Sequence, residues 1–116
     1  MKWLSSLALA LLSTLLIVHA ADLTGTWKGN LESAMGPIAS TLILQTVDAK
    51  LTGSVKTDLY EAKIEKLELN GNKISFITET DFGKLYYEGV VTAEEMKLHV
   101  TGQDGNPLPL NVKKQK

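Results

Sequence analysis

In the segment Leu23-Thr24-Gly25-Thr26-Trp27-Lys28-Gly29-Asn30-Leu31, apolar or small residues hold every odd position and polar residues every even one. A period of two is the signature of a β-strand with one face buried and one in water. The pattern returns along the chain. Leu42 and Leu44 share a parity, as do Leu51, Gly53 and Val55, then Ile74 and Phe76. Leu85, Tyr87, Gly89 and Val91 follow, then Met96, Leu98 and Val100, and last Leu108, Leu110 and Val112. Turn signals separate these runs at Gly36-Pro37, Asp48-Ala49-Lys50, Asp58, Asn70-Gly71-Asn72, Asp81-Phe82-Gly83, Glu94-Glu95 and Asp104-Gly105-Asn106. A turn about every ten to thirteen residues predicts an all-β domain of about eight strands joined in order.

One run breaks the rule. Ala62 and Ile64 lie on one parity, Leu67 and Leu69 on the other. A single strand keeps all four on one face only with an extra residue, so a β-bulge or kink is expected near Glu65-Lys66. Consecutive strands and tight turns make an antiparallel up-and-down meander. Nothing after the leader reads as a helix long enough to cover its apolar face. The sheet then curls and closes on itself as a small barrel, which also removes its edges. A two-sheet sandwich is the alternative. The runs are too short, and their outer faces too rich in Thr, Ser, Lys and Glu, for an outer-membrane barrel.

Residues 1–20 read as a cleaved signal peptide. Lys2 supplies the positive start, Leu7 to Val18 the apolar stretch, and Val18-His19-Ala20 the small-residue cleavage site. The stretch is shorter than the roughly 20 residues of a spanning helix. Residues 21–116 then form one small β-barrel domain, secreted or periplasmic. The chain has no cysteine, so burial and strand pairing alone must stabilise it. It also has no arginine, and its formal net charge is −1. Both facts exclude a basic nucleic-acid footprint.

Enzyme chemistry finds little support. His99 is the one histidine after the leader, and its parity points outward. One histidine and no cysteine offer neither a metal cluster nor a nucleophile–base pair. Asp104-Gly105-Asn106 lacks the repeated acids of a calcium loop and reads as a turn. No enzyme activity, cofactor or metal is expected.

Leu23-Thr24-Gly25-Thr26-Trp27-Lys28-Gly29, with Leu51-Thr52-Gly53-Ser54-Val55 a hairpin later, resembles the calycin superfamily of lipocalins, fatty-acid-binding proteins and avidins. The resemblance implies a barrel whose first-strand tryptophan, here Trp27, plugs one end. The wording is most similar to avidins, but their biotin-site tryptophans have no counterpart beyond Trp27, and Gly29 stands where they carry a ligand-binding asparagine. Biotin binding is therefore not implied.

In a meander alternate turns fall at alternate ends. One end collects tight polar turns at Asp48-Ala49-Lys50, Asn70-Gly71-Asn72 and Ala93-Glu94-Glu95. The other collects Glu32 to Ser40, expected as the longest loop and a lid, then Asp58-Leu59-Tyr60, Asp81-Phe82-Gly83 and Gln103 to Pro109. This end carries Met35, Ile38, Leu59, Tyr60 and Phe82, and clustered apolar loop residues mark candidate binding sites. Two readings stand: a rim that binds, or a plug that folds down over the barrel mouth. A binding rim suits a small apolar or amphipathic ligand. Alternatively it suits a protein partner, as in an exported enzyme inhibitor, since bacterial metalloprotease inhibitors are similar in size, export and barrel form. A structural envelope protein without ligand is a third possibility. The inward Gly25, Gly29, Gly53 and Gly89 serve either strand bending and close approach or ligand space. The size of the domain favours the former and at most a small cavity.

Overall fold

The computed structural model describes residues 19–116. The leader expected over residues 1–20 therefore lies, apart from its last two residues, outside the described residues. These form a short 3-10 turn, Ala20–Leu23, and nine strands: β1 (Gly25–Ser33), β2 (Gly36–Val47), β3 (Lys50–Thr57), β4 (Glu61–Lys63), β5 (Glu65–Asn70), β6 (Lys73–Thr80), β7 (Gly83–Val91), β8 (Glu95–Thr101) and β9 (Pro107–Lys114). The order across the sheet is β4-β3-β2-β1-β9-β8-β7-β6-β5, and each pairing is antiparallel. The meander thus returns its last strand to its first and forms a nearly closed barrel. Among the described residues no helix is long and apolar enough to cross a membrane.

β4 and β5 are the two halves of one bent stave. Ala62 pairs with Val55 of β3, whereas Leu69 pairs with Ile74 of β6. Between them the register shifts from Glu65 to Glu68, and Lys66 takes a positive φ of 51°. The extra residue lies where the parity changes. It lets Ala62 and Ile64 enter the core while Leu67 and Leu69 pack against it from the other parity. The Ile64 N–H donates to the Gly53 carbonyl at 2.9 Å, fastening the bend to β3.

The interior is filled by side chains. Trp27, Phe76 and Tyr87 are buried, with the Phe76 and Tyr87 rings stacked at 4.5 Å. Trp27 is buried near the end where β1 begins and β9 finishes. Its indole N–H donates to the Leu23 carbonyl at 2.9 Å, and Leu23 is itself fully buried. Lys114 holds the same corner, its Nζ donating to the Asp22 carbonyl at 2.8 Å and standing 5.9 Å from the centre of the Trp27 ring.

Three inward glycines mark close approaches of strands. A Cβ on Gly29 would collide with the Asn111 carbonyl, on Gly53 with that of Ile43, and on Gly89 with that of Lys97. These positions hold neighbouring backbone, so they accommodate strand approach at the barrel corners. The prolines obey a related rule. Pro37 lies beyond the last β3 partner of β2, where Ser40 meets Thr57. Pro107 and Pro109 lie beyond the last β1 partner of β9, where Leu110 meets Leu31. Each therefore has a flank without a paired strand, where a missing N–H costs no ladder bond.

One expectation about loops is corrected. Glu32 to Ser40 is not a long loop or lid: β1 runs to Ser33, β2 starts at Gly36, and only Ala34-Met35 turn the chain. The longest connection among the described residues is 102–106, between β8 and β9.

Candidate functional site: the apolar rim

Three turns at one barrel end share a device. In Ser33-Ala34-Met35-Gly36 the Ser33 hydroxyl donates to the Gly36 carbonyl at 2.6 Å and accepts from the Met35 N–H at 3.2 Å. Thr57-Asp58-Leu59-Tyr60 repeats it, with Leu59 N–H at 3.0 Å and the Tyr60 carbonyl at 3.4 Å. Thr80-Asp81-Phe82-Gly83 repeats it again, with both bonds at 3.0 Å. A hydroxyl at the strand end satisfies turn groups that would otherwise need water, which is why Ser and Thr stand there. The third residue of each turn is then pushed outward. Met35 is 97% exposed, Leu59 57% and Phe82 60%.

The opposite end supplies the comparison. Thr92-Ala93-Glu94-Glu95 forms the same hydroxyl-anchored turn, with Glu94 N–H at 3.3 Å from the Thr92 oxygen and the Glu95 carbonyl at 3.4 Å. Its third residue is Glu94. The turn geometry therefore does not demand an apolar tip, and three of them share one rim. Asp48 and Ala49, both at positive φ, make another polar turn at that end.

The structure places the five expected site residues at this rim, in three different roles. Met35, Leu59 and Phe82 protrude. Ile38 is on strand β2 rather than a loop, half-buried against the core. Tyr60 is half-buried, its ring meeting Phe82 edge-on at 6.4 Å. Ile38, Leu59, Tyr60 and Phe82 line one depression of about 270 Å³, which Leu85 and Leu108 also line and Met35 does not. Leu85, Leu108 and the polar Gln103 and Asp104 were absent from the expected set. The strand parity of the two leucines marks them as core, and only their position at the strand ends brings them to the mouth.

Below the depression the rim joins the core through two phenols. The Tyr60 and Tyr87 hydroxyls are 3.0 Å apart. Burial, and secondarily the neighbouring Tyr87 phenol, raises the Tyr60 pKa far above its usual 10. Burial also raises that of Tyr87, partly offset by its hydrogen bond with Tyr60. Both phenols stay protonated through the neutral range, so one donates to the other. Groups whose folded pKa is raised contribute stability that is complete below the unfolded pKa and lost as pH climbs above it. We therefore expect the wild-type melting temperature to fall between about pH 9 and pH 11. Tyr60→Phe should be about 1 kcal/mol less stable at pH 7, from the lost hydrogen bond. The gap should narrow on alkaline titration, which melting curves of both proteins will record. A gap that widens with pH would contradict it.

A broader depression of about 400 Å³ lies away from the rim, on the outer face of β5 to β8. Glu68, Glu88 and His99 line it, and all three are exposed, with Glu88 opposite His99 in the β7–β8 register. Among the described residues no three His, Cys, Asp or Glu side chains are arranged to hold a metal ion. Compared with protein-family models, curated proteins and solved structures, the chain matches none.

Proposed function

We propose that this chain is an exported, calycin-like β-barrel that acts by binding, not catalysis, and that its binding surface is the rim of Met35, Leu59 and Phe82 with Ile38 and Tyr60 behind them. The partner is another protein, the mode of an exported inhibitor or adaptor. The observation that carries this reading is the fourfold use of one turn: where the tip is free to be polar it is Glu94, yet three tips on one rim are apolar and exposed. Exposed apolar clusters on small proteins mark contact surfaces, and a flexible methionine suits an adaptable one. The filled interior and the strand contacts at Gly29, Gly53 and Gly89 favour a rim contact over a ligand held deep in the barrel. Export is supported by the leader pattern of residues 1–20.

A second reading has its own observation. The depression of about 270 Å³, walled by Ile38, Tyr60, Leu85 and Leu108, is near the lower limit for small-molecule pockets. It would admit a small apolar or amphipathic molecule.

The test compares the wild type with Met35→Ser/Leu59→Ser/Phe82→Ser. Both are immobilised and exposed to the extracellular and periplasmic fractions of the source cells. Proteins retained by the wild type and released by the variant support a docking rim, and identical retention contradicts it. Native mass spectrometry of the wild type purified from its source decides the second reading by the presence or absence of a bound small molecule.

A further inference from the structure

The rim carries charge as well as apolar surface, and its charge is one-sided. Asp58 and Asp81 immediately precede the tips Leu59 and Phe82. Asp104 lines the depression, and Glu32 stands at the end of β1 beside the Ser33 turn. All four are exposed. The lysines at this end already face acids. Lys84 forms an ion pair with its cross-strand neighbour Glu79 at 3.6 Å, and Lys56 stands opposite Glu61 in the β3–β4 register. Among the described residues, no cation lies within ion-pair distance of Glu32, Asp58, Asp81 or Asp104. Four such acids on one end of a chain whose formal charge is only −1 make this rim far more acidic than the molecule as a whole.

The turn chemistry does not require those acids. The second residue of the hydroxyl-anchored turn is Ala34 in one case and Ala93 in another, and the same hydrogen bonds form around both. Asp58 and Asp81 are thus free choices placed beside exposed apolar tips. An apolar contact ringed by acid selects its partner by charge, because a neutral or acidic surface leaves the carboxylates facing nothing or facing repulsion.

Resting on the reading of the rim as a docking surface, we infer that its occupant is a basic protein segment: an apolar anchor side chain flanked by Lys or Arg. The anchor packs among Leu59, Phe82 and Tyr60. The flanking cations meet Asp58 and Asp81 on two neighbouring hairpins and Asp104 at the edge of the depression. The same acids disfavour an anionic lipid surface, which repels them. Part of the attraction is long-range and screened by salt, so its strength depends on ionic strength.

Three synthetic peptides test the inference. Each has a central Phe, flanked on both sides by Lys, by Ser or by Glu, and is titrated against the protein by fluorescence anisotropy. The Lys-flanked peptide is expected to bind roughly tenfold more tightly than the Ser-flanked one at low salt. The advantage should largely vanish near 1 M salt, where screening acts within about 3 Å. In Asp58→Lys/Asp81→Lys the preference should invert toward the Glu-flanked peptide, with circular dichroism and melting unchanged. Equal binding of the three peptides overturns the charge inference while leaving the docking rim standing. If no peptide binds the wild type better than it binds Met35→Ser/Leu59→Ser/Phe82→Ser, the docking reading fails with it. Vesicle binding that the serine variant loses would make lipid the occupant. Self-association that the lysine variant loses would make it a second copy. Either result overturns the inference.

Discussion

Trp27→Ala is expected to lower the free energy of unfolding by about 3–5 kcal/mol, the usual cost of truncating a buried aromatic. Trp27 has no exposed surface and sits where β1 meets both β2 and β9, opposite Leu42 on one side and Lys114 on the other. Its loss removes the largest side chain of the core near the end where β1 begins and β9 finishes. It also leaves the buried Leu23 carbonyl without its indole donor. Domains of this size have stabilities of only about 5–15 kcal/mol, so the melting temperature should fall on the order of 20 °C. Trp27→Phe separates the two contributions. It keeps most of the ring and removes the hydrogen bond, and should cost about 1–3 kcal/mol. Denaturant titration of the three proteins checks both. A Trp27→Ala midpoint within error of the wild type would contradict its place in the core.

Gly89→Ala should cost about 3 kcal/mol, at the upper end of ordinary overpacking. Gly89 pairs with Ile74 on one side and Leu98 on the other. A methyl group there meets the Lys97 carbonyl and stands 2.8 Å from the Leu98 Cα. Both obstacles are backbone of a central strand, so relief requires β8 to move, with its pairing to β9. Gly102→Ala is the control. Its nearest obstacle is the Leu85 Cδ2 at 3.4 Å, the end of a flexible side chain, and the expected change is within about 0.5 kcal/mol. Thermal melts of the two variants should differ clearly. Equal stability would mean that β7 and β8 are not as tightly apposed as the fold requires.

The core was legible because strand parity is a binary code, and one buried face leaves it little freedom. Leu42, Leu44, Val55, Phe76, Leu98 and Val112 are all buried as their parity predicts. The bulge at Glu65-Lys66 was legible for the same reason: it resolves a parity conflict that no straight strand satisfies. Turn lengths were less legible. Met35-Gly36-Pro37 carries strong loop signals, yet Pro37 continues a strand because β3 has already ended beside it. That depends on where a neighbouring strand stops, which no local pattern encodes. The rim residues were found from turn alternation and hydropathy. Their division into tips and floor was not, because it depends on which residue of each hydroxyl-anchored turn faces outward.

A turn held by its own hydroxyl leaves its second and third residues free of structural duty. Those freed positions are Ala or Asp, then Met, Leu, Phe or Glu, and the apolar choices fall on one end only. Fold and proposed function are therefore written in different residues of one motif.

Unfolding of Met35→Ser/Leu59→Ser/Phe82→Ser tests the central claim without knowing the partner. If these side chains form a binding surface, their loss leaves the core intact, and the denaturation midpoint should shift by less than the equivalent of about 1 kcal/mol. If they are instead a plug holding the barrel closed, the variant should lose several kcal/mol, comparable to a core truncation. That second result would contradict the account.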